Sequence, residues 1–96
     1  MKYASEILQI ASNLVSGDRQ IQHGDKITNH KNIATLWSAY LDKDITGHDV
    51  AILMSLLKIA RTKLGSFNID DYYDGSAYIG IAGEIKSKEK DKNDTE

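Results

Sequence analysis

The chain has 96 residues, 41% of them hydrophobic and 27% charged, which is the composition of one soluble globular domain and not of a disordered segment. A domain this small buries only about 60–65% of the surface of its unfolded chain, so its core is thin and association would help it. Twelve Lys and Arg against fourteen Asp and Glu leave a net charge of −2, which argues against a dedicated nucleic-acid binder, and the lack of cysteine excludes disulfides, a thiolate nucleophile and Cys-ligated zinc.

No apolar run approaches the length of about eighteen residues that a membrane helix needs, and no basic-then-apolar leader opens the chain. The expectation is a soluble intracellular protein with no membrane partner. Proline is also absent, so glycine alone punctuates the helices.

Ala4, Ile7, Leu8, Ala11, Leu14 and Val15 form the stripe of an amphipathic helix over 4–16, closed by Gly17. Residues 18–27 carry no sustained period and read as a long loop, of the kind often kept for function. Thr28 or Asn29 is expected to cap a second helix, striped by Ile33, Leu36, Trp37, Tyr40 and Leu41. After the polar turn at 42–44, Thr46 and Asp49 fit a capping box, and a third helix runs to about Lys63 and stops at Gly65. Its apolar residues cover more than one face, which places it centrally or against another chain.

Asn68 or Asp70 opens a fourth helix that carries apolar residues to Ile85. Gly75, Gly80 and Gly83 inside it each cost about 1 kcal/mol relative to Ala, which suggests close approach by a helix or a ligand. Residues 86–96 hold four lysines, four acids and no apolar side chain, so they are expected to form a solvated, disordered tail or a frayed helical extension. The fold expected is an all-α, oligomeric four-helix bundle, with one domain at 1–85 and a charged tail at 86–96.

Three constellations could carry chemistry. Asp71 and Asp74 project from one helix face and could hold Mg²⁺ against phosphates, although acids in a first turn also simply complement the helix dipole. The loop gathers Asp18, Arg19, Gln20, His23, Asp25 and Lys26, with His30 and Lys31 just beyond; these groups grip phosphate or a base edge, but match no P-loop spacing and equally describe a solvated loop. Lys58 and Arg61 could neutralise a phosphate or pair with Asp70, Asp71 or Asp74. Trp37 and Tyr40 sit in register with core positions, whereas Tyr72, Tyr73 and Tyr78 beside glycines could pack on a flat ligand or fill an interface. Nucleophilic catalysis has little support, since no Gly-x-Ser-x-Gly elbow is present.

The run Gly17-Asp18-Arg19-Gln20, followed by His23-Gly24-Asp25, the stretch from Asn32 to Leu41, Ile45-Thr46, Asp49-Val50-Ala51 and Leu56-Leu57-Lys58-Ile59-Ala60-Arg61, resembles a family of small uncharacterised bacteriophage and prophage proteins. The chain departs from the family pattern at His23, where Tyr is usual, and after Asp74, where Ser76-Ala77 separate Gly75 from Tyr78. The resemblance implies an accessory role in the cytoplasm of an infected bacterial host. Asp71-x-x-Asp74 before Ala77-Tyr78-Ile79 also looks like the second acidic motif of the MazG-like nucleotide pyrophosphohydrolases, while their first, a run of glutamates, is replaced by Lys58 and Arg61.

The leading functional expectation is binding of a nucleotide or related phosphorylated ligand, by sequestration or by Mg²⁺-dependent hydrolysis. Arg19, Gln20, Lys58 and Arg61 would contact phosphate, His23 and Asp25 would complete the loop, Asp71 and Asp74 would hold Mg²⁺ or a hydroxyl, and Tyr78 or Trp37 would pack on a base. The alternative is a non-enzymatic module that docks a host protein through the apolar faces of the last two helices.

Overall fold

The computed structural model describes residues 1–17 and 25–94, of which 92–94 are described as backbone only. Four helices and no strand occur among the described residues: α1 (Ala4–Leu14), α2 (Lys26–Leu41), α3 (Gly47–Arg61) and α4 (Ile69–Asp94). Each boundary has a local cause. The Glu6 carboxylate accepts from the Tyr3 N–H at 3.2 Å and opens α1, and Gly17 takes the left-handed backbone, φ +58°, soon after it ends.

α2 begins three residues earlier than a Thr28 cap suggests, because Asp25 is the N-cap and its carboxylate accepts from both the N–H and the hydroxyl of Thr28. Asp42, φ +54°, closes that helix. Thr46 and Asp49 exchange backbone and side-chain bonds at 3.0 Å each, so the capping box forms with aspartate in place of the longer acid. α3 ends at Arg61, the last turn loosening into bonds such as Thr62 N–H to the Ile59 carbonyl before Gly65, φ +73°. Asn68 then accepts from the N–H of Asp70 through its side chain and from that of Asp71 through its carbonyl, which starts α4.

α4 is the axis of the fold, and α3 lies antiparallel along it. Ala51 packs with Ile81, Ala82 and Ile85 at one end, the buried Ser55 hydroxyl donates to the Gly75 carbonyl at 3.1 Å, and Lys58 meets Asp74 further along. α1 runs beside α4 in the same direction: Ile7 shares a groove with Ile69 and Tyr72, and Val15 packs on the Ile81–Ile85 cluster. α2 is tied to α3 by the Ser38 side chain, which both donates to and accepts from the Ile45 backbone. Lys26 also reaches Glu84 of α4 at 3.4 Å.

The core is narrow and built mostly of small residues: Ala11, Ala34, Val50, Ala51, Ala77, Ile81, Ala82 and Ile85. One expectation changes here. Close approach accounts for only one of the three helical glycines: Gly75 is buried against α3, where a Cβ would sit 3.4 Å from that of Lys58, whereas Gly80 and Gly83 have no such neighbour within 4 Å. Beyond Ile85 the helix continues to Asp94, the helical of the two alternatives read for this segment, supported by Lys88–Glu84 (i, i+4) and Lys86–Glu89 (i, i+3) pairs. No helix among the described residues is long and apolar enough to cross a membrane.

Candidate functional site

The charged residues singled out in the sequence and described in the structure fall into two groups along α4, one at its N-terminal end and one beside Glu84, just past its middle. At its N-terminal end, antiparallel packing brings the last turn of α3 beside the first turns of α4. Lys58 forms an ion pair with Asp74 at 3.2 Å, and the lysine side chain is only 15% exposed. Next to that pair a groove of about 630 Å³ is lined by Leu57, Ala60, Arg61, Leu64, Ser66, Asn68 and Asp71. Lys58, Arg61, Asp71 and Asp74 are therefore assembled in one region.

Asp71 is the unusual member. It is 8% exposed, and among the described residues its carboxylate makes no hydrogen bond or ion pair. Its place in the first turn of α4 gives partial compensation from the helix dipole. Its carboxylate oxygens, unpartnered but not fully buried, reach solvent through the groove that the residue lines.

Asp25 belongs to the second group. Lys26, its neighbour, binds Glu84, and Glu84 is ten residues beyond Asp74, about 15 Å of helical rise away. The Asp25 carboxyl is held below the ordinary value of 3.8, first by its bond from the Thr28 N–H and then by that from the Thr28 hydroxyl. Both bonds serve the start of α2. Asp49 is likewise lowered, chiefly by the Thr46 N–H, and is a capping group. Arg19, Gln20 and His23 lie outside the described residues.

The aromatic candidates turn inward to different degrees. Tyr78 packs on the Ile81–Ile85 cluster and meets the His30 ring edge-on, 6.2 Å between centroids, and Trp37 is half-buried on α2. Tyr40 does not reach the core: it is 89% exposed, and Leu36 and Leu41 of the same stripe are exposed too, because the inward face of α2 is centred on His30 and Ala34. His30 itself is buried, its Nδ1 lying 2.7 Å from the Lys26 carbonyl. That contact assigns the ring proton to Nδ1 and leaves the buried Nε2 without a partner among the described residues.

Ser55 and His30 carry roles that the sequence reading did not give them. A lone small polar residue four positions after Ala51, on an otherwise apolar helix, was the available signal for close helix approach at Ser55. His30 had none, since a histidine early in a helix reads as exposed.

For a metal, the arrangement is a poor fit. Among the described residues no three His, Asp or Glu side chains gather as a metal-binding group, and a Mg²⁺ ion at Asp71 and Asp74 would have to draw Asp74 away from Lys58.

Several large apolar side chains also stand exposed on the outer surface. On α3, Leu53, Leu56 and Leu57 are 43%, 53% and 41% exposed; on α2, Leu36 is 69% exposed beside Tyr40. A second groove, of about 500 Å³, is lined by Met1, Ile7, Phe67, Ile69 and Tyr72 among others.

Comparison with known proteins agrees with the phage resemblance. The chain is 40% identical over 82 residues to the Gene 55 protein of Mycobacterium phage D29, covering 85% of this chain and 54% of that protein. It is 37% identical over 87 residues to the Gene 55 protein of Mycobacterium phage L5, covering 90% of this chain and 56% of that one. The chain thus spans a little over half the length of these relatives. No solved structure matches it. Neither relative nor family match points to the MazG-like pyrophosphohydrolases, and that resemblance is unsupported. A family model covers residues 6–86, and the chain belongs to that family, the domain of unknown function DUF6378.

Proposed function

We propose that this is a phage accessory module that works by contact and not by chemistry, docking a protein of the infected host. The observation that carries the reading is the uncovered apolar surface of α2, where Leu36 and Tyr40 stand 69% and 89% exposed one turn apart. Tyrosine and leucine at such spacing offer apolar area together with a hydroxyl for the rim, the usual make-up of an interface anchor. The surface expected on the last two helices is thereby shifted to α2 and α3. A photo-crosslinking residue at position 40, carried into host cells, should trap one host protein. That protein, purified, should bind the wild-type chain and lose affinity for the Tyr40→Asp variant by more than tenfold. Adducts spread over many proteins, or binding indifferent to Tyr40→Asp, contradict the reading.

A second reading keeps the phosphorylated ligand, favoured by the gathering of Lys58 and Arg61 at one end of α4. There Arg61 would hold phosphate, and Asp71 would accept from a ligand hydroxyl. Titration calorimetry with a panel of nucleotides, with and without Mg²⁺, alongside product analysis, tests it. Binding without products supports sequestration, released pyrophosphate supports hydrolysis, and the absence of heat with every nucleotide rejects both.

A further inference from the structure

We propose that His30 is the catch that holds α2 onto the rest of the bundle, and that taking up a proton at its buried Nε2 releases that helix. The release goes beyond the docking of a host protein at α2 and does not depend on it. Among the described residues, His30 Nε2 is the one buried side-chain nitrogen or oxygen with no hydrogen-bond partner. The residue is more than nine-tenths buried, and its ring meets Tyr78 of α4 edge-on. Gly47, the first residue of α3, packs on its other side, where an added Cβ would stand 3.6 Å from the Cβ of His30. Because Nδ1 already carries the proton given to the Lys26 carbonyl, a second proton has only Nε2 to go to.

A charge on that ring finds no counter-ion among the described residues, since no carboxylate lies within ion-pair distance of it. On α2 the Asp25 carboxylate is taken by Thr28, and Lys26 and Lys31 are themselves cations. On α3 Asp49 is bound to Thr46, and His48 is a further imidazole. On α4 Glu84 is shared by Lys26 and Lys88, and Tyr78 presents a neutral ring. Glu6, the one charged residue of α1, opens that helix and bonds Tyr3. The start of α3 adds the positive end of a helix dipole. A buried imidazolium without an acceptor is costly, and α2 has little else to hold it. His30 and Ala34 are its buried residues, while Leu36, Tyr40 and Leu41 of its stripe are exposed. Its first turn meets α4 through Lys26–Glu84 and through Ile27 on the Ile81–Ile85 cluster, and its end is kept by the Ser38–Ile45 bonds beside the left-handed Asp42. The start of α2 therefore leaves first, while α3 and α4 keep their own contact at Ala51, Ser55 and Gly75. Once released, the ring protonates as an exposed imidazole does, around about pH 6.5, so α2 is fully held above that pH and is let go as pH falls below it.

Amide hydrogen exchange followed by NMR from about pH 7.5 to about pH 5.5, corrected for the intrinsic exchange rate, tests the release. The opening equilibrium reported by the amides of α2 should rise about tenfold over that range, with those of α3 and α4 unchanged. His30→Leu, which fills the space with no titratable group, should abolish the rise; if that variant does not fold, His30→Gln takes its place. His23 and His48 are kept in every chain, so the difference isolates His30. Protection of α2 that is indifferent to pH, or a rise that persists in the folded variant, overturns the proposal. So do equal losses across α2, α3 and α4, the mark of a histidine that merely supports the whole fold.

Discussion

The two faces of α3 sort their residues against size. Toward α4 the helix presents Val50, Ala51 and Ser55, all but fully buried, whereas Leu53, Leu56 and Leu57 point outward and keep two-fifths to one-half of their surface in water. Side-chain hydrophobicity alone would have put the leucines inside. What decides the inner face is how closely two helices must approach: small residues let α3 settle on Gly75, and the Ser55 hydroxyl donates to the Gly75 carbonyl. The outer face is rich in the side chains that pack interfaces, and nothing in the described chain covers it. A face of that kind reads as built for a second protein surface.

Substitutions can break that comparison. The largest effect should come from the inner side: Ile81→Ala, in the cluster around Ala51, should cost about 2–4 kcal/mol in urea denaturation. Leu56→Ala, measured at concentrations low enough to keep the chain monomeric, should cost no more than about 0.5 kcal/mol. Equal losses at the two sites would show that the outer leucines are held within the monomer after all.

The glycines sharpen the same contrast on α4. Gly80→Ala and Gly83→Ala meet no neighbour within 4 Å and should each stabilise the chain by about 0.5–1 kcal/mol, since alanine restricts the unfolded backbone and favours the helix. Gly75→Ala places its methyl 3.4 Å from the Cβ of Lys58 and should gain less. Gains of the same size at all three positions would show that α3 does not press on Gly75.

The smallest effect is set by pH. Asp25 and Asp49 have folded values below the ordinary 3.8, so their capping contributions are fully present above that pH. They fade as pH falls through the lower folded values, because protonation removes the acceptor that opens α2 or α3. Acid titration followed by circular dichroism should show this loss below about pH 4, reduced in Asp25→Asn and Asp49→Asn. An acid limb unchanged in both variants would remove the caps from the account.

Much of this architecture was legible in the sequence. Periodicity and capping residues place α1, α3 and the start of α4 within a few positions, and the Thr46–Asp49 box is read directly from its spacing. α2 shows where such reading ends. Its stripe of Ile33, Leu36, Trp37 and Tyr40 announces a helix, but periodicity reports an apolar face and not what covers it. The inward face is instead centred on His30 and Ala34, beside the Tyr78 ring of α4. The charged site was half legible: acids of α4 pairing with Lys58 or Arg61 was among the readings of their spacing, and Lys58–Asp74 is such a pair. That Asp71, one turn before Asp74, would line a groove outside that pair depends on how the chain turns at Gly65 and Asn68, which no local pattern encodes.

The central claim is that the outer leucines of α3 face protein and not water. Urea denaturation of the Leu57→Asp chain, paired with its binding to the host protein trapped at position 40, tests it most directly. The account predicts a midpoint that matches the wild type and an affinity lowered at least about tenfold. A midpoint lowered as far as that of Ile81→Ala, or binding indifferent to Leu57→Asp, would contradict it.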